Sequence, residues 1–270
     1  MAFRLGRPRR HPGAARARAG RAGADVVGWL DGQTERFRQR IEVVAIDPCA
    51  AYRRAVTDTL PQAQVVVDHL NPVRLANAAV TAVRQRVTWD NRGRRGRTID
   101  PEWTNRRRLL TARERLTHQR FQAMRNSCLD ADPPGQILTA WIAKEEFRAL
   151  LGTARTGGHR HDISHRLYRF YTWCANADIP EVTRLAQTIE DWWPEIEAFC
   201  KTGITNAKTE GTNRLIKDVA RRLQVPQPRQ PTPTSMVLLH SAITPEHSQP
   251  RDDARLNSKS RYEPPWQSIQ

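Results

Sequence analysis

Two aspartates stand at positions where a metal-assisted reaction could use them. Asp47 closes a β-branched run over residues 41–46, and Asp68 closes a second run over residues 64–68. Because ligands of open α/β sheets bind at the carboxyl ends of the strands, acids at these positions can meet a metal ion or a substrate. The alternative role is a helix N-cap, which Pro48 favours for Asp47. The residues around Asp47 leave both roles open, and those around Asp68, taken alone, favour the cap.

A third acid lies in the segment TNAKTEGTNRLIK, residues 205–217. Glu210, Asn213 and Lys217 have the spacing i, i+3 and i+7, which places them on one face of a predicted helix. An acid, an amide and a cation on one face suit a site for a metal ion and a phosphate. The alternative is an ordinary solvated helix face.

The chain carries a large positive charge, with a formal net charge of +16 and a pI of about 10.9. Four arginines cluster in the loop NRGRRGRT at residues 91–98, namely Arg92, Arg94, Arg95 and Arg97. Lysine and arginine that neutralise phosphates release condensed counterions, so nucleic acid is the expected partner of this loop. Binding to an acidic membrane surface lacks support, because no long apolar run or clean basic amphipathic helix is present. Simple solubility remains the other alternative.

The elements that would position these residues form an α/β unit followed by a helical block. Helical periodicity at 25–40, 49–59 and 72–88 alternates with the two strand-like runs, which predicts a parallel sheet. From about residue 101 to 200 only helical patterns recur, over residues 102–128, 136–153, 159–177 and 181–200. Residues 1–24, rich in Arg, Ala, Gly and Pro, are predicted to be disordered or only locally ordered. Residues 224–270, rich in Pro, Gln and Ser, are predicted to be disordered.

The cysteines of the chain, Cys49, Cys128, Cys174 and Cys200, are far apart in the sequence. Their spacing does not favour a zinc site or a disulfide framework, and it fits a reduced cytosol. The basic N-terminal segment is followed by no apolar core of a signal peptide. We therefore expect a cytoplasmic protein.

Several segments in a fixed order resemble the ISL-three family of insertion-sequence transposases. They are IDPCAAYRRAV, VVVDHLNPVRLAN, WIAKEEFRALL, RFYTWCANADIPEVTRLAQTIEDWWPEIEAF and TGITNAKTEGTNRLIK. The resemblance runs from about Asp25 to Arg222, and the pattern TN-x-x-x-EG-x-N-x-x-IK is its most specific part. It implies an α/β protein with a partial RNase H-like core over residues 25–90, a large helical insertion over residues 91–200 and a closing helix over residues 201–223.

The resemblance also implies an activity, DDE-type DNA transposition with three acids binding Mg²⁺ or Mn²⁺. The second family Asp matches Asp47, and the family Glu matches Glu210. Asp68 matches a recurring family acid, and Asn213 and Lys217 would support the site. The expected partners are transposon ends and target DNA, with no membrane partner, and the protein could form a homo-oligomer at the bacterial nucleoid.

The sequence departs from this family at both ends. The first family Asp lies on an early strand, and residues 1–24 supply no hydrophobic run ending in an acid. We therefore expect this copy to be inactive in transposition, with a non-catalytic nucleic-acid-binding protein as the alternative and an unrelated helical interaction protein as a weaker one. After Leu223 the similarity stops, which suggests a frameshift that the gene sequence would test.

Overall fold

The computed structural model describes residues 2–5 and 23–205, which fold around a three-stranded sheet. The strands are β1 (Ala2–Leu5), β2 (Ile41–Ile46) and β3 (Gln64–Val67), in the order β1-β2-β3. β2 and β3 run parallel, with Ile46 opposite Val67, and β1 pairs with β2 in the antiparallel sense. The two predicted strands and their parallel pairing are therefore confirmed.

Strand β1 is a short segment of local order within residues 1–24. Its four residues pair with β2, and the register shifts between Arg4 and Leu5. The other edge of β2 would otherwise present unpaired backbone groups, which a short apolar segment can satisfy. Four residues before an arginine-rich stretch give too short a pattern for sequence reasoning to recognise.

Three helices cover one face of the sheet, namely α1 (Gly23–Asp31), α2 (Glu35–Gln39) and α3 (Ala50–Thr59). Val44 and Ile46 of β2 pack with the buried residues of α1 and α3 in one cluster. A β-carbon at Gly23 would lie 2.7 Å from the backbone oxygen of Ala51, so only glycine allows α1 to approach α3 this closely.

The prediction of one helix over residues 25–40 is wrong, because the chain turns between α1 and α2. Thr34 begins α2, and its Oγ1 accepts a hydrogen bond from the Phe37 backbone N–H at 3.3 Å. This N-cap satisfies a helix-terminal donor and gives the second helix its own start.

The opposite face of the sheet carries the helical block. Its helices are α4 (Leu70–Arg92), α5 (Pro101–Thr104), α6 (Arg106–Leu110), α7 (His118–Ala131), α8 (Gln136–Gly152), α9 (Arg160–Asn176), α10 (Pro180–Asp191) and α11 (Trp193–Thr202). α8 is the centre, since it packs against α4 and α9 and buries Trp141 and Phe147. Val43 and Val66 of the sheet belong to the same apolar cluster, so one core joins the sheet to the helices.

Two long predicted helices are broken in the structure. Residues 102–128 form α5, α6 and α7, and residues 181–200 form α10 and α11. The second break precedes Pro194, which is compatible only with the first turn of a helix. The break after α6 depends on the fully buried Lys144 of α8. Its Nζ donates hydrogen bonds to the carbonyl oxygens of Leu109 at 2.7 Å and Thr111 at 3.1 Å.

Within the described residues, no helix has the length and apolar character needed to cross a membrane. The four cysteines are all free, and three of them, Cys128, Cys174 and Cys200, are buried. The architecture as a whole is an α/β fold dominated by helices, with its small sheet between two helical layers.

Candidate functional site

Asp47 and Asp68 lie side by side at the carboxyl end of the parallel strand pair. Ile46 and Val67 are opposite each other in the ladder, and each acid follows one of them directly. The Asp68 backbone N–H continues the ladder by donating to the Ile46 carbonyl at 3.1 Å. The sheet thus brings together two acids that are 21 positions apart in the numbering of the chain.

Neither acid occupies the N-cap position of the helix that follows it. Cys49 is the N-cap residue of α3, and His69 is the N-cap residue of α4. The alternative role as an N-cap is therefore wrong for Asp47 and for Asp68. Both helices begin two residues or more beyond the acids, which leaves the carboxylates at the sheet edge.

The carboxylate of Asp47 is partly exposed and is oriented by Asn71. Asn71 Nδ2 donates a hydrogen bond to Asp47 Oδ1 at 2.8 Å, and the Asn71 backbone N–H donates to the Asp68 carbonyl at 3.1 Å. The first turn of α4 therefore orients the Asp47 carboxylate. The backbone hydrogen bond from Asn71 to Asp68 attaches that turn to the end of β3. Arg74 Nη1 lies 3.4 Å from Asn71 Oδ1 and adds a positive charge nearby.

The carboxylate of Asp68 is fully buried, and neither of its oxygens accepts a hydrogen bond from the described residues. His69 Nδ1 lies 3.3 Å from Asp68 Oδ1. The His69 ring is held by parallel stacking on Phe199 of α11, with 5.2 Å between ring centroids. A buried carboxylate of this kind is stabilised when a cation lies beside it.

These side chains fit part of a site for a divalent cation. Mg²⁺ takes oxygen ligands and needs few protein carboxylates when substrate phosphate completes its shell. Asp47 and the unsatisfied Asp68 offer such oxygens at one edge. Among residues 2–5 and 23–205 no group of three or more His, Cys, Asp or Glu residues could hold a metal ion. Glu210, Asn213 and Lys217 lie outside the described residues, so the third acid stays a prediction.

The four arginines predicted to bind DNA have two different environments. Arg92 donates to both oxygens of Glu102 at 3.1 and 3.2 Å, and Arg94 donates to both oxygens of Asp100 at 2.7 and 3.0 Å. The hydrogen bonds from Arg94 lower the pKa of Asp100 well below its usual range.

The side chains of the other two, Arg95 and Arg97, are exposed. No ion pair with an acid of the described residues engages their guanidinium groups.

One arginine that sequence reasoning missed belongs to the same surface. Arg106 lies 3.3 Å above the ring centroid of Trp103 and donates to the Trp103 carbonyl at 2.9 Å. A β-carbon at Gly96 would lie 3.1 Å from the β-carbon of Trp103, so the loop packs directly against this residue. The i, i+3 spacing of Trp103 and Arg106 is a signal that the sequence already contained.

Comparison with known proteins gives this arrangement a context. The ISL3 family model, described as "Transposase", matches residues 15–223. A protein named "Transposase for insertion sequence element IS1001", from Bordetella parapertussis, is 30% identical over 185 residues, which are 68% of this chain and 44% of that protein. The chain thus spans less than half the length of this curated relative.

No solved structure gives a significant match. The family match covers Asp47, Asp68 and the basic loop, as well as the segment of Glu210. Since it extends over well more than half of the sequence, the chain belongs to the ISL3 family of transposases.

Proposed function

We propose that this chain is a transposase fragment with an RNase H-like core, of the kind that acts on DNA through a divalent-metal site, here containing Asp47 and Glu210. The observation that carries the proposal is that Asp47 and Asp68 lie next to each other at the carboxyl edge of two parallel strands. The buried Asp68 oxygens accept no hydrogen bond from the described residues. That edge is where open α/β sheets bind their ligands.

In an intact core of this kind the chemistry would be phosphodiester cleavage followed by strand transfer to target DNA. Bound Mg²⁺ or Mn²⁺ would supply charge stabilisation for the attacking and leaving oxygens. Asp47 would be a ligand, and Asn71 would keep its carboxylate in one orientation. Asp68 would add negative charge beside it, while Glu210, with Asn213 and Lys217 on the same predicted face, would complete the site.

This copy is proposed to lack cleavage activity. β1 is antiparallel to β2, with Ala2 opposite Ala45 and Leu5 opposite Ile41. The carboxyl end of β1 therefore lies at the edge away from Asp47, where an acid following it could not join the site. A first catalytic Asp of the kind that the family resemblance implies has no counterpart on this strand.

Metal binding tests the site independently of catalysis. Asp47→Asn removes one anionic oxygen ligand, so we expect Mn²⁺ affinity, measured by titration calorimetry on the full chain, to fall by about tenfold or more. Asp58→Asn is the matched control, because Asp58 is an exposed acid on α3 of the same layer. Equal Mn²⁺ affinities for Asp47→Asn and the unaltered chain would refute the assignment.

A cleavage assay tests the activity. We expect no nicking of plasmid DNA by the full chain with Mg²⁺ or Mn²⁺. Nicking that Asp47→Asn abolishes would keep the site and refute the proposed inactivity.

The second candidate function is a nucleic-acid-binding protein without catalysis. The exposed guanidinium groups of Arg95 and Arg97 favour it. Salt-dependent DNA binding that persists in EDTA and in Asp47→Asn, combined with no Mn²⁺ binding, would select this function over the first.

A further inference from the structure

Two acids that follow the loop of residues 91–98 form ion pairs with arginines of that loop. Asp100 and Glu102 are both buried, with 1% and 0% of their surface exposed. Arg94 forms a bidentate pair with Asp100, and Arg92 pairs with Glu102 while its Nη1 lies 3.5 Å from Asp100. We call these four residues the acid latch. Bidentate arginine–carboxylate pairs fix geometry as well as charge.

The acid latch holds the basic loop in one conformation. Asp100 Oδ2 accepts the Arg97 backbone N–H at 2.6 Å, and the Asp100 N–H donates to the Arg97 carbonyl at 3.0 Å. Arg94 Nη1 also donates to the Arg95 carbonyl at 3.0 Å. The loop leaves α4 through Gly93 at φ 61°, a conformation that glycine adopts without strain. The backbone of Arg95 and Arg97 is therefore fixed although their side chains are exposed.

The charge around the loop is strongly unbalanced. Residues 92–108 contain seven arginines and only the two acids of the latch. The exposed Arg107 follows Arg106, whose guanidinium covers the Trp103 ring against which Gly96 packs.

The excess of positive charge also affects the pKa of a nearby buried arginine, Arg84. Burial and then the charge of Arg106 lower the pKa of Arg84, although Glu102 opposes the shift. An additional anion would relieve this repulsion.

We propose that Arg95, Arg97 and Arg107, positioned by the acid latch, form a surface that binds the phosphate backbone of duplex DNA. The partner class rests on the proposed function, whereas the choice of residues rests on the loop geometry. Guanidinium groups match phosphate oxygens in shape and keep their charge. Arg92 and Arg94 are assigned to positioning instead of DNA contact. Contacts of this kind fix a duplex without reading its sequence.

Fluorescence anisotropy with a short DNA duplex of arbitrary sequence tests the surface. The full chain is titrated in EDTA over a series of KCl concentrations, so that metal binding and cleavage play no part. The triple variant Arg95→Gln, Arg97→Gln, Arg107→Gln should bind at least about tenfold more weakly. The slope of log K against log salt should fall by about 2 to 3, since each lost phosphate contact is worth about 0.9.

The matched control removes the same charge elsewhere. Arg54, Arg160 and Arg184 are exposed on α3, α9 and α10, and their triple change to Gln should alter DNA affinity by less than about threefold. Equal weakening by both triples would overturn the proposal, because binding would then follow net charge alone. An RNA duplex that binds more tightly than the DNA duplex would overturn the assignment of DNA as the partner.

For the acid latch, we expect a change in DNA affinity opposite to the one that net charge alone would give. Asp100→Asn raises the positive charge of the chain, yet it should weaken DNA binding by about threefold or more because the loop loses its anchor. Circular dichroism shows whether the variant keeps its fold, and Glu102→Gln serves as a second latch variant. Tighter DNA binding by either folded variant would show that the latch does not position the surface.

Discussion

At Asp68 the fold buries a carboxylate that accepts no hydrogen bond from the described part of the chain, and His69 Nδ1 lies 3.3 Å from its Oδ1. The neighbouring Asp47 is partly exposed and is held by Asn71. Since the two acids occupy equivalent positions on adjacent strands, their different burial divides their roles. Asp47 lies where a ligand could contact it, and Asp68 places its buried carboxylate at the end of the neighbouring strand. In the proposed function, a bound cation would offset that charge.

The cost of this charge can be measured through Asp68→Asn. In EDTA at pH 8 the variant should raise the free energy of unfolding by about 1–3 kcal/mol, because it removes a buried charge while keeping the side-chain shape. Any stabilisation that Mn²⁺ gives to the unaltered chain should shrink in the variant. Urea unfolding with and without Mn²⁺ measures both effects. Asp58→Asn, an exposed change, should stay within about 0.5 kcal/mol, and a clear loss of stability in Asp68→Asn would contradict the argument.

At the scale of elements, sequence patterns predicted those parts of the fold whose stability is local. The β-branched runs gave β2 and β3, and the helical periodicity gave α8 and α9 nearly to their ends. The break after α6 was missed because its cause, the Lys144 ammonium, lies on a helix more than thirty residues later. Contacts between residues far apart in the chain limit the prediction of the candidate functional site in the same way.

Sequence patterns placed both aspartates at strand ends. Tertiary contacts, which no local pattern encodes, decide two further features. Asp68 accepts no hydrogen bond from the described residues, and Arg92 and Arg94 pair with buried acids while Arg95 and Arg97 stay exposed.

Lys144→Met tests whether this long-range contact holds α6 and α8 together. Methionine fills a similar volume, but it leaves the Leu109 and Thr111 carbonyls without their buried donor. Relief from burying the ammonium offsets part of that loss, so we expect a net destabilisation of about 1–3 kcal/mol by urea unfolding. Lys201→Met is the control, since Lys201 forms an exposed pair with Glu197. A stabilised Lys144→Met variant would mean that the burial cost of the ammonium exceeds the contribution of its hydrogen bonds.

For the whole molecule, one apolar core extends from Val43 and Val66 of the sheet through α7, α8 and α9 to Cys200 of α11. Asp47, Asp68 and the loop of residues 91–98 are therefore attached to the same packed body. Loss of core packing would displace both together, because α4 carries Asn71 at its first turn and leads directly into the basic loop at its last.

The buried thiols make the stability of this core depend on alkaline pH. Burial raises the pKa of Cys128 and of Cys174 to about 12 and that of Cys200 to about 11, from an ordinary value of 9.0. The unfolded chain therefore releases these protons first. The free energy of unfolding should be unaffected below pH 9 and should fall between pH 9 and about 11, by about 1.4 kcal/mol per pH unit for each thiol.

Substitution on α7 separates this titration from simple loss of packing. Cys128→Ala should make the alkaline slope of the unfolding free energy shallower by up to about 1.4 kcal/mol per pH unit, since one thiol with a raised pKa is gone. Met124→Ala, one turn earlier and equally buried, should lower stability at every pH and leave the slope unchanged. Urea unfolding at pH 8, 9 and 10 gives both quantities. An unchanged slope in Cys128→Ala would mean that this thiol reaches water in the native state and that the core opens near α7 before the molecule unfolds.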